Sequence, residues 1–122
     1  MKTIKIPHVE HLYFAEVGEH LSFTPKRLFF VTEFTGKRGG HANKKVEEYV
    51  FIIKGSVRFT LEHNGKRESI DMVQDPSIGL FIGSNTWIEI ETLEDNSSYV
   101  VVANEHYNRD DYVETYEEFL KL

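Results

Sequence analysis

Val, Ile, Phe and Tyr recur along this chain in short stretches separated by turn residues, the pattern of a β-rich protein. The predicted strands are 2–6, 12–17, 28–34, 48–54, 56–62, 67–72, 78–82, 87–92 and 98–103. The clearest turn is His63-Asn64-Gly65-Lys66. Asn-Gly readily takes the positive φ angles of a type I′ turn, so 56–62 and 67–72 are expected to form a hairpin. Within it Val57, Phe59 and Leu61 alternate with Arg58, Thr60 and Glu62, giving one buried face and one wetter face. Leu28-Phe29-Phe30-Val31 lacks such alternation, which predicts burial on both sides. From Arg109 onward the period changes. Tyr112, Val113, Tyr116, Phe119 and Leu120 follow helical spacing, with Asn108 as N-cap and Asp110 and Asp111 in a first turn favoured by the helix dipole. The expectation is a sandwich or barrel with one C-terminal helix packed outside it.

The 122 residues contain no repeat, low-complexity segment or linker, so residues 1–122 are read as one domain. A hydrophobic content of 40% and an aromatic content of 13% are those of a folded globular chain, not a disordered one. No apolar run approaches a bilayer span, and Met1-Lys2-Thr3-Ile4-Lys5-Ile6-Pro7 lacks the features of a signal peptide, so no membrane association and a cytoplasmic location are expected. The absence of Cys excludes disulfides, thiolate zinc sites and a cysteine nucleophile. A net charge of −6 argues against nucleic-acid binding, which needs a basic face. Lys37, Arg38, Lys44 and Lys45 nevertheless form a local basic cluster. It suits one small anionic ligand, or else is a solvated loop.

Candidate chemistry concentrates in Arg38-Gly39-Gly40-His41-Ala42-Asn43-Lys44-Lys45. On a strand His41 and Asn43 point one way and Ala42 the other, which sets an imidazole beside a carboxamide. With Arg38 and two lysines close by, a proton carrier active near neutral pH stands beside donors for an anion or developing oxyanion. The alternative is a polar loop entering a strand, with His41 partly buried and hydrogen-bonded. Glu48 either supports the His41 imidazole or is exposed at a strand end. Trp87 and Glu89 alternate against Ile88 and Ile90, so Trp87 either lines a pocket or packs in the core. His8, His11, His20, His63 and His106 show no mutual motif spacing and read as surface or capping residues.

His41-Ala42-Asn43, then Glu48, then Gly55 resembles the first motif of the cupin superfamily, with Asn43 where a second histidine usually stands. The second cupin motif is poor, and the place of its metal histidine falls near Ile90. With only His41 and Glu48 as ligands, no metal is expected. A closer resemblance covers nearly the whole chain. It runs through Lys37-Arg38-Gly39-Gly40-His41-Ala42, Ile52-Ile53-Lys54-Gly55-Ser56-Val57, Asp75-Pro76-Ser77-Ile78-Gly79-Leu80, Trp87, and the tail Tyr107-Asn108-Arg109-Asp110-Asp111-Tyr112 to Tyr116-Glu117-Glu118-Phe119. These blocks are similar to the sugar 3,4-ketoisomerases. The resemblance implies an all-β cupin or jelly-roll barrel with one C-terminal α-helix, a homodimer, and a metal-independent isomerase without cofactor. Its implied substrate is dTDP-4-keto-6-deoxyglucose, in deoxysugar and surface-polysaccharide biosynthesis. On this reading Arg38 and His41 match active-site residues, and Asn43 takes the place of the second active-site histidine. Lys44, Glu48 and Trp87 join Arg38 as candidate substrate-binding residues. Asparagine does not titrate. The alternatives are therefore an isomerase impaired at Asn43, a catalytically weak nucleotide-sugar binding cupin, and, third, a metal-dependent cupin.

Overall fold

The computed structural model describes residues 2–122. In chain order its strands are β1 (Lys2–Lys5), β2 (His8–Val9), β3 (Leu12–Tyr13), β4 (Arg27–Phe34), β5 (Lys37–Asn43), β6 (Glu48–Lys54), β7 (Ser56–His63), β8 (Lys66–Val73), β9 (Ile78–Ile82), β10 (Trp87–Thr92), β11 (Ser97–Ala103) and β12 (Tyr112–Val113). A 3-10 turn, Arg109–Asp111, precedes β12, and a one-turn helix α1 (Tyr116–Phe119) follows it. Two five-stranded antiparallel sheets result, in the orders β1-β9-β6-β11-β4 and β12-β5-β10-β7-β8. Consecutive strands repeatedly fall in opposite sheets, and the inner faces meet as a jelly-roll barrel.

Alternation decides what lies between the sheets. Val50, Ile52, Tyr99 and Val101 of the first sheet pack against Val57, Phe59, Leu61 and Ile88 of the second. Phe59, Val57 and Ile52 are fully buried, and each such burial is worth roughly 1.5–3 kcal/mol. The Asn64-Gly65 turn has φ of 51° and 77°, and β7 pairs with β8 from Ser56–Val73 to His63–Lys66, the hairpin the sequence predicts. On the outer side of the first sheet, Tyr49 and Phe51 are covered by Ile6, Leu21 and the half-buried Phe23. On the outer side of the second, Ala42, Trp87, Val113 and Phe119 form a small cluster.

Three expectations are corrected. The predicted strand 12–17 shrinks to Leu12–Tyr13, paired only with His8–Val9, because the chain then turns back at Gly18 to bridge Val17 with Leu21. The run 28–31 is not buried on both faces. β4 is the edge of its sheet, and Leu28 and Phe30 stand 56% and 65% exposed on its outer face. The C-terminal segment is not one helix from Arg109. Asn108 does cap a turn, its side chain accepting from the Asp110 amide, but the turn stops at Asp111. Tyr112 and Val113 pair with Asn43 and Ala42, and helix resumes only after Thr115 caps α1. Val113 and Phe119 thus reach one apolar cluster across a strand and a turn, a placement that their helical spacing imitates.

Candidate active site

β5 carries the site, and two glycines set its geometry. At Gly39-Gly40 the pairing with β10 slips: Ile88 faces His41, and Glu89 faces Gly39. Both glycines have positive φ, 88° and 73°, and a Cβ on Gly39 would lie 2.8 Å from the Ile88 carbonyl oxygen. Such a bulge inserts one residue and reverses the alternation of side chains beyond it. In a regular strand Arg38 would face away from His41. With the bulge, Arg38, His41 and Asn43 all line one cavity inside the barrel.

That cavity has a volume of about 430 Å³. His41, Asn43, Ile88 and Ile90 form its wall from the second sheet, and Glu48, Val50, Tyr99 and Val101 form the facing wall from the first. Tyr112 and Glu114 stand at the C-terminal side, and the Tyr112 ring lies 5.3 Å from the imidazole of His41.

Asn43 is buried and committed at both ends. Its Nδ2 donates to Asp111 Oδ2 at 3.1 Å. A carboxylate only accepts, so the amide oxygen is turned the other way, where the His41 imidazole hydrogen-bonds to it. Asp111 is itself buried and also accepts from the Lys45 amide at 2.7 Å. The His41 pKa is held below its usual value, above all by burial and further by the Arg38 cation; the Gly39 carbonyl, Glu114 and Asn43 pull the other way without prevailing. A neutral imidazole near pH 7 is a base.

On the facing wall, Glu48 and Arg27 flank Ala103 in register across β6, β11 and β4. Burial pushes the Glu48 carboxyl up to about 7, and the Arg27 cation only partly offsets this. Arg27 sits over the rings of Phe29 and Tyr107, and its Nε is buried with no hydrogen-bond partner among the described residues. The Tyr99 hydroxyl is raised above its usual value by burial, although Arg38 donates a hydrogen bond to it.

Of the residues singled out in the sequence, Arg38, His41, Asn43 and Glu48 come together around the cavity. Lys44 and Trp87 do not. The Lys44 side chain is exposed and borders a separate surface groove, while its amide donates to the Asp111 carbonyl at 3.0 Å. Trp87 is 5% exposed on the outer side of the barrel against Phe119, with its indole donating to Glu89 at 2.9 Å, because Ile88 and Ile90 take the inward positions. The sequence reading missed Tyr99, Tyr112, Arg27 and the anchoring role of Asp111. Among the described residues no group of three or more His, Asp or Glu is placed to hold a metal ion, and no helix is long and apolar enough to cross a membrane.

The family described as FdtA, WxcM-like, C-terminal matches the chain over residues 1–122. The chain belongs to this family. Within reach of the FdtA family, it is 29% identical over 108 residues to the TDP-4-oxo-6-deoxy-alpha-D-glucose-3,4-oxoisomerase of Aneurinibacillus thermoaerophilus, covering 87% of this chain and 77% of that protein. Its fold matches a 3,4-ketoisomerase from Helicobacter canadensis with a TM-score of 0.92 and 28% identity, covering 98% and 94% of the two chains. It also matches a histidine-to-asparagine mutant of the 3,4-ketoisomerase QdtA from Thermoanaerobacterium thermosaccharolyticum, solved in complex with TDP-4-keto-6-deoxyglucose. There the TM-score is 0.88 and the identity 25%, over 98% and 91% of the chains.

Proposed function

We infer that this FdtA-family chain is a sugar 3,4-ketoisomerase that takes TDP-4-keto-6-deoxyglucose, moving the ketone from C4 to C3 through an enediol. The observation that carries this is a cavity between the sheets where a neutral-leaning imidazole, His41, stands beside the Arg38 cation. Removing a proton next to a carbonyl calls for a base active near neutral pH and a donor for the oxyanion that develops. His41 takes the proton from C3 and returns one to C4, while Arg38 steadies the enediolate oxygens. Asn43 holds the imidazole through the Asp111 anchor instead of shuttling protons.

The cavity takes the sugar, and the TDP extends toward the Lys37 and Arg58 groove that adjoins it through Arg38 and Gly39. A water-soluble nucleotide sugar as substrate supports a cytoplasmic setting. A second copy of the chain is the partner that the exposed Leu28 and Phe30 on edge strand β4 support.

The test is NMR of TDP-4-keto-6-deoxyglucose with the protein in deuterated water. Deuterium entering the ring and a 3-keto product are expected, with His41→Gln slower by roughly 10²–10⁴-fold. Saturable TDP binding with neither exchange nor product would favour a binding module without catalysis.

A further inference from the structure

Shifting a ketone between neighbouring carbons moves protons at two kinds of atom. C3 loses a proton and C4 gains one, while O4 gains a proton and O3 loses one. One imidazole serves the carbons, yet the oxygens need their own carrier. Asn43 cannot be that carrier, since it has no titratable proton and both ends of its amide are engaged.

We propose that Glu48 is the second proton carrier of the site, serving the sugar oxygens while His41 serves the carbons. This rests on the ketoisomerase reading and extends it to a residue on the opposite wall. Three observations carry it. His41 on β5 and Glu48 on β6 line the same cavity from facing sheets, so a ring bound between them has one carrier on each side. Among the described residues the Glu48 carboxyl makes no hydrogen bond, and the Arg27 cation acts on it only through its charge, which leaves its oxygens open to substrate. The other acid–base groups of the cavity are less suited. Tyr99 is raised and bonded to Arg38, Tyr112 lies against the His41 ring on the wall opposite Glu48, and Glu114 is exposed at the rim beside His41. Arg27 on β4 and Tyr99 on β11 are the charged or titratable groups that face Glu48; its β9 neighbour is the apolar Ile82.

The cycle balances. Neutral His41 takes the C3 proton as protonated Glu48 gives its proton to O4, leaving an enediol, an imidazolium and a carboxylate. The carboxylate then takes the O3 proton as the imidazolium protonates C4. The 3-keto sugar is formed, both groups return to their starting states, and no redox partner is required.

The required forms fix the pH dependence. His41 must be neutral, so the rate rises with pH through the depressed imidazole pKa. Glu48 must be protonated, so the rate falls as pH passes its value of about 7. The experiment measures kcat against pH by NMR of 3-keto product for the wild type, Glu48→Gln and Arg27→Met, with thermal melts to confirm folding. Glu48→Gln is expected to lose roughly 10²–10⁴-fold in kcat and to lose the alkaline limb while keeping the acid limb. Arg27→Met removes the cation that holds Glu48 down and should move the alkaline limb to higher pH without moving the acid limb. This second variant decides the matter if Glu48→Gln does not fold. An active wild type whose Glu48→Gln form keeps kcat within threefold, or whose alkaline limb ignores Arg27→Met, overturns the role of Glu48 alone. A wild type that makes no 3-keto product overturns the ketoisomerase reading and this role with it.

Discussion

Asp111→Asn separates holding the imidazole from holding the chain. Asp111 accepts one bond from the Lys45 amide at 2.7 Å and one from Asn43 Nδ2 at 3.1 Å. The substitution keeps an oxygen for Lys45 but sets a new NH2 group against that of Asn43. Two donors cannot share a bond, so the Asn43 amide turns over and presents its own NH2 to His41. The imidazolium formed during turnover then meets a donor where it had an acceptor. A hydrogen bond to a charged group is worth about 1.5–3 kcal/mol. At 1.36 kcal/mol per decade, the expected loss in kcat is roughly 10–150-fold. The His41 pKa, already depressed by burial, should fall further, because one of the contacts that raise it is gone. Stability should change by only about 1 kcal/mol, since a charge-assisted bond gives way to a neutral one and the Lys45 amide keeps its partner. The measurements are kcat by product NMR, titration of the His41 ring protons, and urea unfolding. If the His41 pKa and kcat both stay at wild-type values in a folded Asp111→Asn protein, the anchoring argument is wrong. Asp111→Ala is the control, because it also strips the Lys45 amide of its acceptor and should cost a further 1–3 kcal/mol or so of stability.

Gly39→Ala places a Cβ 2.8 Å from the Ile88 carbonyl at a φ of +88°, so it should cost more than the roughly 1–2 kcal/mol of an ordinary left-handed residue and weaken substrate binding as Arg38 is displaced. An unchanged urea midpoint and an unchanged KM would show that the bulge does not set the position of Arg38. Phe30→Asp puts a charge on the exposed face of β4 and is expected to lower the light-scattering mass from twice the 14.2 kDa chain to a single chain. A wild type already at 14.2 kDa at micromolar concentration would remove the second copy from the picture.

What the sequence made legible was whatever repeats locally. The Asn64-Gly65 turn and the alternation of Val57, Phe59 and Leu61 are properties of neighbouring residues, and the hairpin appears with its register within one residue of the expected ends. The placement of His41 and Asn43 on one face followed in the same way from strand period. Asp111 was visible only as an acidic residue in a supposed first helical turn. Its partner is Asn43, 68 residues away, and no period in the sequence reports a contact of that range. Tyr112 and Val113 fit a helical spacing and lie in a strand for the same reason: the edge of β5 offers pairing that their own neighbours do not. The outer face of β4 misleads in the opposite sense, because a run of apolar residues reports a need for burial without saying whether the same chain supplies the cover. Arg38 is the instructive case. Strict alternation from His41 turns it out of the cavity, and only the paired glycines between them signal that the alternation breaks. Gly39-Gly40 inside a strand is poor β-former chemistry unless a bulge or close backbone approach requires it, and here both do. A glycine pair between an arginine and a histidine is therefore part of what builds this cavity, since it turns two residues three apart onto one face.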